Sequence, residues 1–142
     1  MITNERQYAI TKAQAERFKE SLAMADVPDK KLHPKVRKAM QAGVQSQLKD
    51  LENEIAEFEK LRDGKIRTIV VNSIVDIALA LIQARIARNW TQTQLADKLG
   101  LSEQQIQRYE STRYKGAAVE RLQEVADALG VRVQEVVTLE QW

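Results

Sequence analysis

No proline interrupts residues 35–62, and within them Val44, Leu48, Leu51, Ile55 and Phe58 recur at steps of four, three, four and three. That spacing puts five apolar side chains on one stripe of a single helix about 40 Å long at 1.5 Å per residue. A seam of this length must be covered. Either an antiparallel hairpin with a neighbouring helix or the same helix of a second copy can cover it. A neighbour is available. Thr11 and Gln14 have the T-x-x-Q spacing of a capping box, and Ala15, Phe18, Leu22 and Ala25 follow at helical steps, which predicts a helix over 11–25. Charge supports the second arrangement as well. Lys30, Lys31, Lys35, Arg37 and Lys38 crowd the start of the long segment, and Asp50, Glu52, Glu54, Glu57 and Glu59 crowd its end. Two antiparallel copies would set basic ends beside acidic ends.

Both prolines, Pro28 and Pro34, fall within 26–34, which predicts a turn there with Pro34 at the first position of the long helix. Gly64 is placed to end that helix. The β-branched run KIRTIVV that follows predicts a short strand at 66–71 or an extended linker. A lone strand needs a partner, either residues 8–10 or its own copy across a dimer.

Two Pro, five Gly and 5% aromatic residues make the 142-residue chain lean helical rather than sheet-forming, so the expected fold class is all-α with a short strand possible at 66–71. The absence of Cys removes disulfide scaffolds, thiolate metal sites and thiol nucleophiles. His33, the only imidazole, sits in KKLHPK, a charged stretch expected to be a solvated loop, so a triad or a histidine metal site lacks partners. Gly43, Gly64, Gly100, Gly116 and Gly130 are too dispersed to cradle a phosphate. Neither enzyme activity nor a metal or cofactor is expected. MITNERQYAITKAQ lacks the basic and apolar regions of a signal peptide, and no 18-residue apolar run exists, so the expected location is the cytoplasm.

A second pattern occupies the C-terminal half. Ser73 with Asp76 predicts a helix start, Ile74, Ile77, Ala78, Leu81, Ile82 and Ile86 supply its buried face up to Arg88, and Asn89 can stop it. The stretch TQTQLADKLGLSEQQIQRYE, residues 91–110, reads as two short helices joined by a tight turn. Ala96 is small where the helices cross, Gly100 can take positive φ, and Ser102 with Gln105 forms S-x-x-Q. Leu95, Leu99, Leu101, Ile106 and Tyr109 point toward a shared core.

This segment resembles the helix-turn-helix of the phage-repressor (Cro and repressor, or XRE) family, and RLQEVADALGV, 121–131, is similar to that family's fourth helix. The resemblance implies a five-helix domain over 73–142, a linker over 66–72, and an N-terminal helical hairpin over 1–65 that lies outside the family's pattern. It implies that residues 102–110 form the helix that enters the major groove. Glu103, Gln104, Gln107 and Arg108 lie away from Ile106 and Tyr109 and become base readers: Gln for adenine, Arg for guanine, Glu for the cytosine amino group. Gln92, at the start of the preceding helix, is implied to meet a phosphate, and Lys98, Ser102, Arg113, Tyr114 and Lys115 are further backbone candidates. Arg85 and Glu110 are implied to form a partly buried structural pair, with Ala96, Gly100 and Ile106 as the other structural positions. STRYKGAA after Glu110 departs from the family's tighter loop and leaves open which of its residues reach phosphates.

The net charge of +2 does not advertise nucleic acid, but its distribution does. Residues 85–115 hold six basic and three acidic residues, and residues 116–142 hold two and five. One recognition helix reads about three or four base pairs, so a homodimer on an inverted repeat of double-stranded DNA is expected. The surfaces available to it are the N-terminal seam, the 66–71 segment and VVTLEQW at 136–142. The expected function is a transcriptional repressor. The helical extension motivates an alternative, the antitoxin of a type II toxin–antitoxin pair that neutralises a toxin protein and represses its own operon.

Overall fold

The computed structural model describes residues 1–24 and 33–141. The fold is all-α, with six helices and no strand among the described residues: α1 (Glu5–Met24), α2 (Pro34–Arg62), α3 (Ile74–Ala87), α4 (Gln92–Leu99), α5 (Glu103–Ser111) and α6 (Val119–Leu129). They fall into two compact units, Met1–Lys65 and Ile66–Trp142. No described helix is long and apolar enough to cross a membrane.

In the first unit α1 and α2 pack as an antiparallel hairpin. Near the start of α1, Tyr8 packs its ring 5.1 Å from that of Phe58 and donates its hydroxyl to Glu59, close to the end of α2. Arg62 lies over the Tyr8 ring at 4.5 Å and reaches Glu5 at 3.1 Å, while Lys19 and Glu52 approach to 3.8 Å. These exposed ion pairs set register and contribute little stability, up to about 1 kcal/mol each. The predicted seam therefore has an intramolecular cover: Phe58 is buried, and Val44, Leu48, Leu51 and Ile55 are half-buried.

The first helix begins six residues before the predicted Thr11. Asn4 caps it, its Oδ1 accepting from Gln7 N–H at 2.8 Å, because the additional turn lets Tyr8 reach Phe58. Pro34 does open α2, and His33 is its cap, Nδ1 accepting from the Lys35 amide at 3.1 Å. The predicted turn lies largely within 25–32, outside the described residues. No strand forms at 66–71. The suggested partner, residues 8–10, is inside α1, where its amides and carbonyls serve the helix.

In the second unit Leu81, Ile82, Leu95, Ile106, Val125 and Leu129 are fully buried. Leu99, Leu101 and Tyr109, also expected inside, are half-buried. Ser73 caps α3 as predicted, and Asn89 takes φ 57° just beyond its end. The unit has four described helices rather than five. After Gly130 closes α6 in the left-handed conformation, residues 131–141 form no helix. Val131, Val133, Val136, Val137 and Thr138 are all β-branched and lose side-chain freedom in a helix.

Candidate nucleic-acid interface

Two consecutive capping boxes fix the pair α4 and α5. Thr91 Oγ1 accepts from Gln94 N–H while Gln94 Oε1 accepts from Thr91 N–H, and Ser102 and Gln105 repeat the exchange. Between them Gly100 holds φ 69° and ψ 29°, and Leu101 N–H returns to Ala96 O at 2.9 Å. A residue with a Cβ is strained in that conformation, so glycine sets the turn. Ala96, 1% exposed, lets the two helices approach.

α5 is fastened on its inner side by Ile106, with no exposed surface, and by Glu110. The Glu110 carboxylate accepts both arms of Arg85, Nε at 2.6 Å and Nη2 at 2.7 Å, and the Gln92 amide at 3.0 Å. Arg85 Nη1 also donates to Trp90 O at 2.6 Å. One buried cluster thereby ties α3, the turn before α4, the first residue of α4 and the end of α5. A buried charge pair of this kind holds only when its remaining hydrogen-bonding capacity is met, and no described buried side-chain polar atom is left without a partner.

On the outer side Glu103, Gln104, Gln107 and Arg108 are all exposed, with Glu103 and Gln107 hydrogen-bonded one turn apart at 3.3 Å. The structure thus gathers the four residues expected to read bases on one face of α5. Lys98, Arg113 and Lys115, expected at phosphates, are also exposed. Three other expected phosphate residues are differently placed. Gln92 is buried and its side chain serves Glu110. Ser102 Oγ is engaged as the cap of α5, which leaves the amides of Glu103 and Gln104 at that helix start to meet an anion.

Tyr114 is the third, and it is a core residue. Its ring stacks on Tyr109 at 5.2 Å and 7°, and only 4% of the residue is exposed. Burial pushes its phenol well above the ordinary 10.0, with the Glu110 charge acting in the same sense. Arg113 and Tyr114 both adopt positive φ, 51° and 58°, a conformation costing about 1–2 kcal/mol for a residue with a side chain. Burial of the Tyr114 ring offsets that strain. Sequence reasoning missed both inward turns. Stacking of Tyr114 on Tyr109 was signalled by nothing more than their five-residue separation, and Gln92 by the spare acceptor capacity of a carboxylate already holding one arginine.

The helix-turn-helix family model matches residues 81–136, from within α3 to beyond α6. No curated protein and no solved structure matches the chain. Match and geometry agree on α4, the Gly100 turn and α5 as the two helices of the motif. Through its second unit the chain carries a DNA-binding helix-turn-helix domain of the phage-repressor (Cro and repressor, XRE) family.

Proposed function

We propose that this DNA-binding regulator is a sequence-specific repressor that occupies a promoter as a homodimer on an inverted repeat. The observation that carries the reading is the division of α5: Ile106 and Glu110 lock one side, and Glu103, Gln104, Gln107 and Arg108 occupy the other. These are side chains with the donors and acceptors that base edges require. Lys98, Arg113, Lys115 and the amides at the start of α5 hold the backbone on either side. Half-sites lie about one helical turn apart.

Selection of bound duplexes from a random pool tests this, followed by reselection with Gln104→Ala and Arg108→Ala. Each variant should relax the preference at one base pair, by about 1–3 kcal/mol. Loss of affinity with an unchanged preference at every position would remove the two residues from readout.

A second reading is favoured by one observation, that Met1–Lys65 is a compact unit of its own, outside the residues that the family model matches. In that reading the hairpin captures a toxin and the second unit represses the shared operon. It requires that a protein encoded beside this one be toxic when expressed alone and harmless when expressed with this chain. A harmless neighbour excludes it.

A further inference from the structure

Among the described residues of the first unit five large apolar side chains are exposed, Met1, Ile10, Met24, Val36 and Met40, and all five lie on one side of the hairpin. The inner stripe of α1, Tyr8, Thr11, Ala15, Phe18 and Leu22, meets the inner stripe of α2, Val44, Leu48, Leu51, Ile55 and Phe58. In two antiparallel helices the residues that follow each inner stripe share one side of the pair, and those that precede it share the other. Lys19, which follows Phe18, approaches Glu52, which follows Leu51, and so marks the first side. Ile10, 55% exposed, precedes Thr11, and Met24, 75% exposed, stands in the same row four turns on. On α2, Val36 and Met40 occupy the row that precedes the inner stripe, together with Gly43 and Gln47. Met1 joins them, its amino group 3.9 Å from Glu54, the residue before Ile55.

Charge divides the same way. On the side of Lys19 the carboxylates are engaged within the hairpin, Glu16 and Glu52 by Lys19 and Glu59 by the Tyr8 hydroxyl. On the apolar side Arg6 and Arg17 flank Ile10 on α1, and Asp50 and Glu57 follow Gly43 along the rim of α2. These four are exposed, and none has an ion-pair partner among the described residues. The core between the helices is small: of the described apolar side chains in the unit only Ile2, Ala15, Phe58 and Leu61 are buried. A unit of about 60 residues buries barely enough surface to be stable alone.

We propose that the hairpin is the dimer interface: the apolar sides of two copies pack together as a four-helix bundle, with the two-fold axis along the bundle, so that each α2 lies against the α1 of the second copy. The proposal rests on the dimer of the preceding section and gives it a surface. Rotation about a lengthwise axis leaves heights unchanged, so the copy's α1 meets α2 at the same level as α2's own partner does. Tyr8 is level with Phe58 and Glu5 with Arg62, which puts Arg17 level with Lys49 and Met24 level with Ala42. Across the interface Arg17 therefore meets Asp50 of the second copy, and Arg6 comes within a turn of its Glu57. Met24 covers Met40 beside Gly43, where a Cβ would have nothing within 4 Å. Neighbouring helices then run antiparallel on every side of the bundle. Turned end for end instead, the copy would set α2 against α2 and α1 against α1, and Arg6 and Arg17 would lose these carboxylates. Unmatched bases on one helix, level with unmatched acids on the other and on a shared apolar side, select a second copy as the occupant.

Sedimentation velocity on the full-length protein tests the proposal. Arg17→Glu and Asp50→Arg each enter the dimer twice and should each raise its dissociation constant about tenfold, and the double exchange should return it to within about threefold. Met40→Glu should raise it more than about a hundredfold with helix content unchanged by circular dichroism, while Lys49→Glu, on the far side, should leave it within about threefold. The chain has no Cys, so Met24→Cys and Met40→Cys carry one thiol each. Mixed under mild oxidation, the two single variants should join chiefly to one another. A monomeric natural chain, a dimer indifferent to Arg17→Glu and Asp50→Arg, a dimer weakened as much by Lys49→Glu, or cysteines that join each to its own kind in preference overturns the proposal. Base preferences that still respond to Gln104→Ala in such a protein would leave the DNA reading standing and this interface refuted. A dimer that answers to the exchanges as expected in a protein with no base preference would do the reverse.

Discussion

Removing Arg85 should unfold the second unit before it alters any base preference. The guanidinium supplies three hydrogen bonds of 2.6–2.7 Å, two to Glu110 and one to Trp90 O, and the paired side chains are 3% and 1% exposed. Arg85→Ala leaves Glu110 buried and charged beside the Gln92 amide. Loss of one partner of a buried pair costs about 3–5 kcal/mol. A unit of this size holds roughly 4–12 kcal/mol in all, at 0.05–0.15 kcal/mol per residue. Urea unfolding followed by tryptophan fluorescence reports that unit specifically, because Trp90 and Trp142 both belong to it. With an m-value of about 1 kcal/mol/M the midpoint should fall by about 3 M or more. Arg85→Met with Glu110→Leu removes both charges together and should recover much of the loss. A shift below about 0.7 M for Arg85→Ala, or a double variant no more stable than the single one, would refute the assignment of this cluster as the fastening of α5.

Three further outcomes are expected. If Lys98, Arg113 and Lys115 meet phosphates in both halves of a dimer, log K should fall with log salt at a slope steeper than about −4, and Lys98→Ala should reduce its magnitude by about 2; a flat response removes all three. Ser102→Ala should cost about 1 kcal/mol of stability and leave the salt slope unchanged, since its hydroxyl is engaged as a cap; a smaller slope at full stability would return it to the phosphates. Tyr114 has its folded pKa raised above the ordinary 10.0, so the stability its neutral phenol contributes is complete below that pH and is lost as pH rises beyond it. An alkaline titration should accordingly show the natural chain losing stability above about pH 10 and Tyr114→Phe losing less, and identical alkaline curves would contradict burial of the phenol.

What was legible in the sequence is what rests on short separations. Thr91 with Gln94 and Ser102 with Gln105 satisfy each other three residues apart, Ser73 Oγ accepts from the Asp76 amide over the same spacing, and Gly100 and Asn89 meet local demands for positive φ. The outer face of α5 follows from the same periodicity that buries Ile106. Over longer separations only the family resemblance was informative: it pairs Arg85 with Glu110 across 25 residues, and gives no such guide to Gln92. Gln92 and Glu110 are 18 residues apart, and an exposed glutamine and a buried one look alike in a sequence. Tyr114 was misplaced for a related reason: it lies among Arg113, Lys115 and Gly116, whose polarity suggests a solvated loop, and only paired left-handed residues turn its ring inward.

The strand expected at 66–71 shows the limit of propensity from the other side. β-branched residues state that a segment will accept a pleated neighbour, and the fold has to supply one. Residues 8–10 became helix because Tyr8 gains Phe58 and Glu59 there, so the 66–71 segment has no paired strand among the described residues.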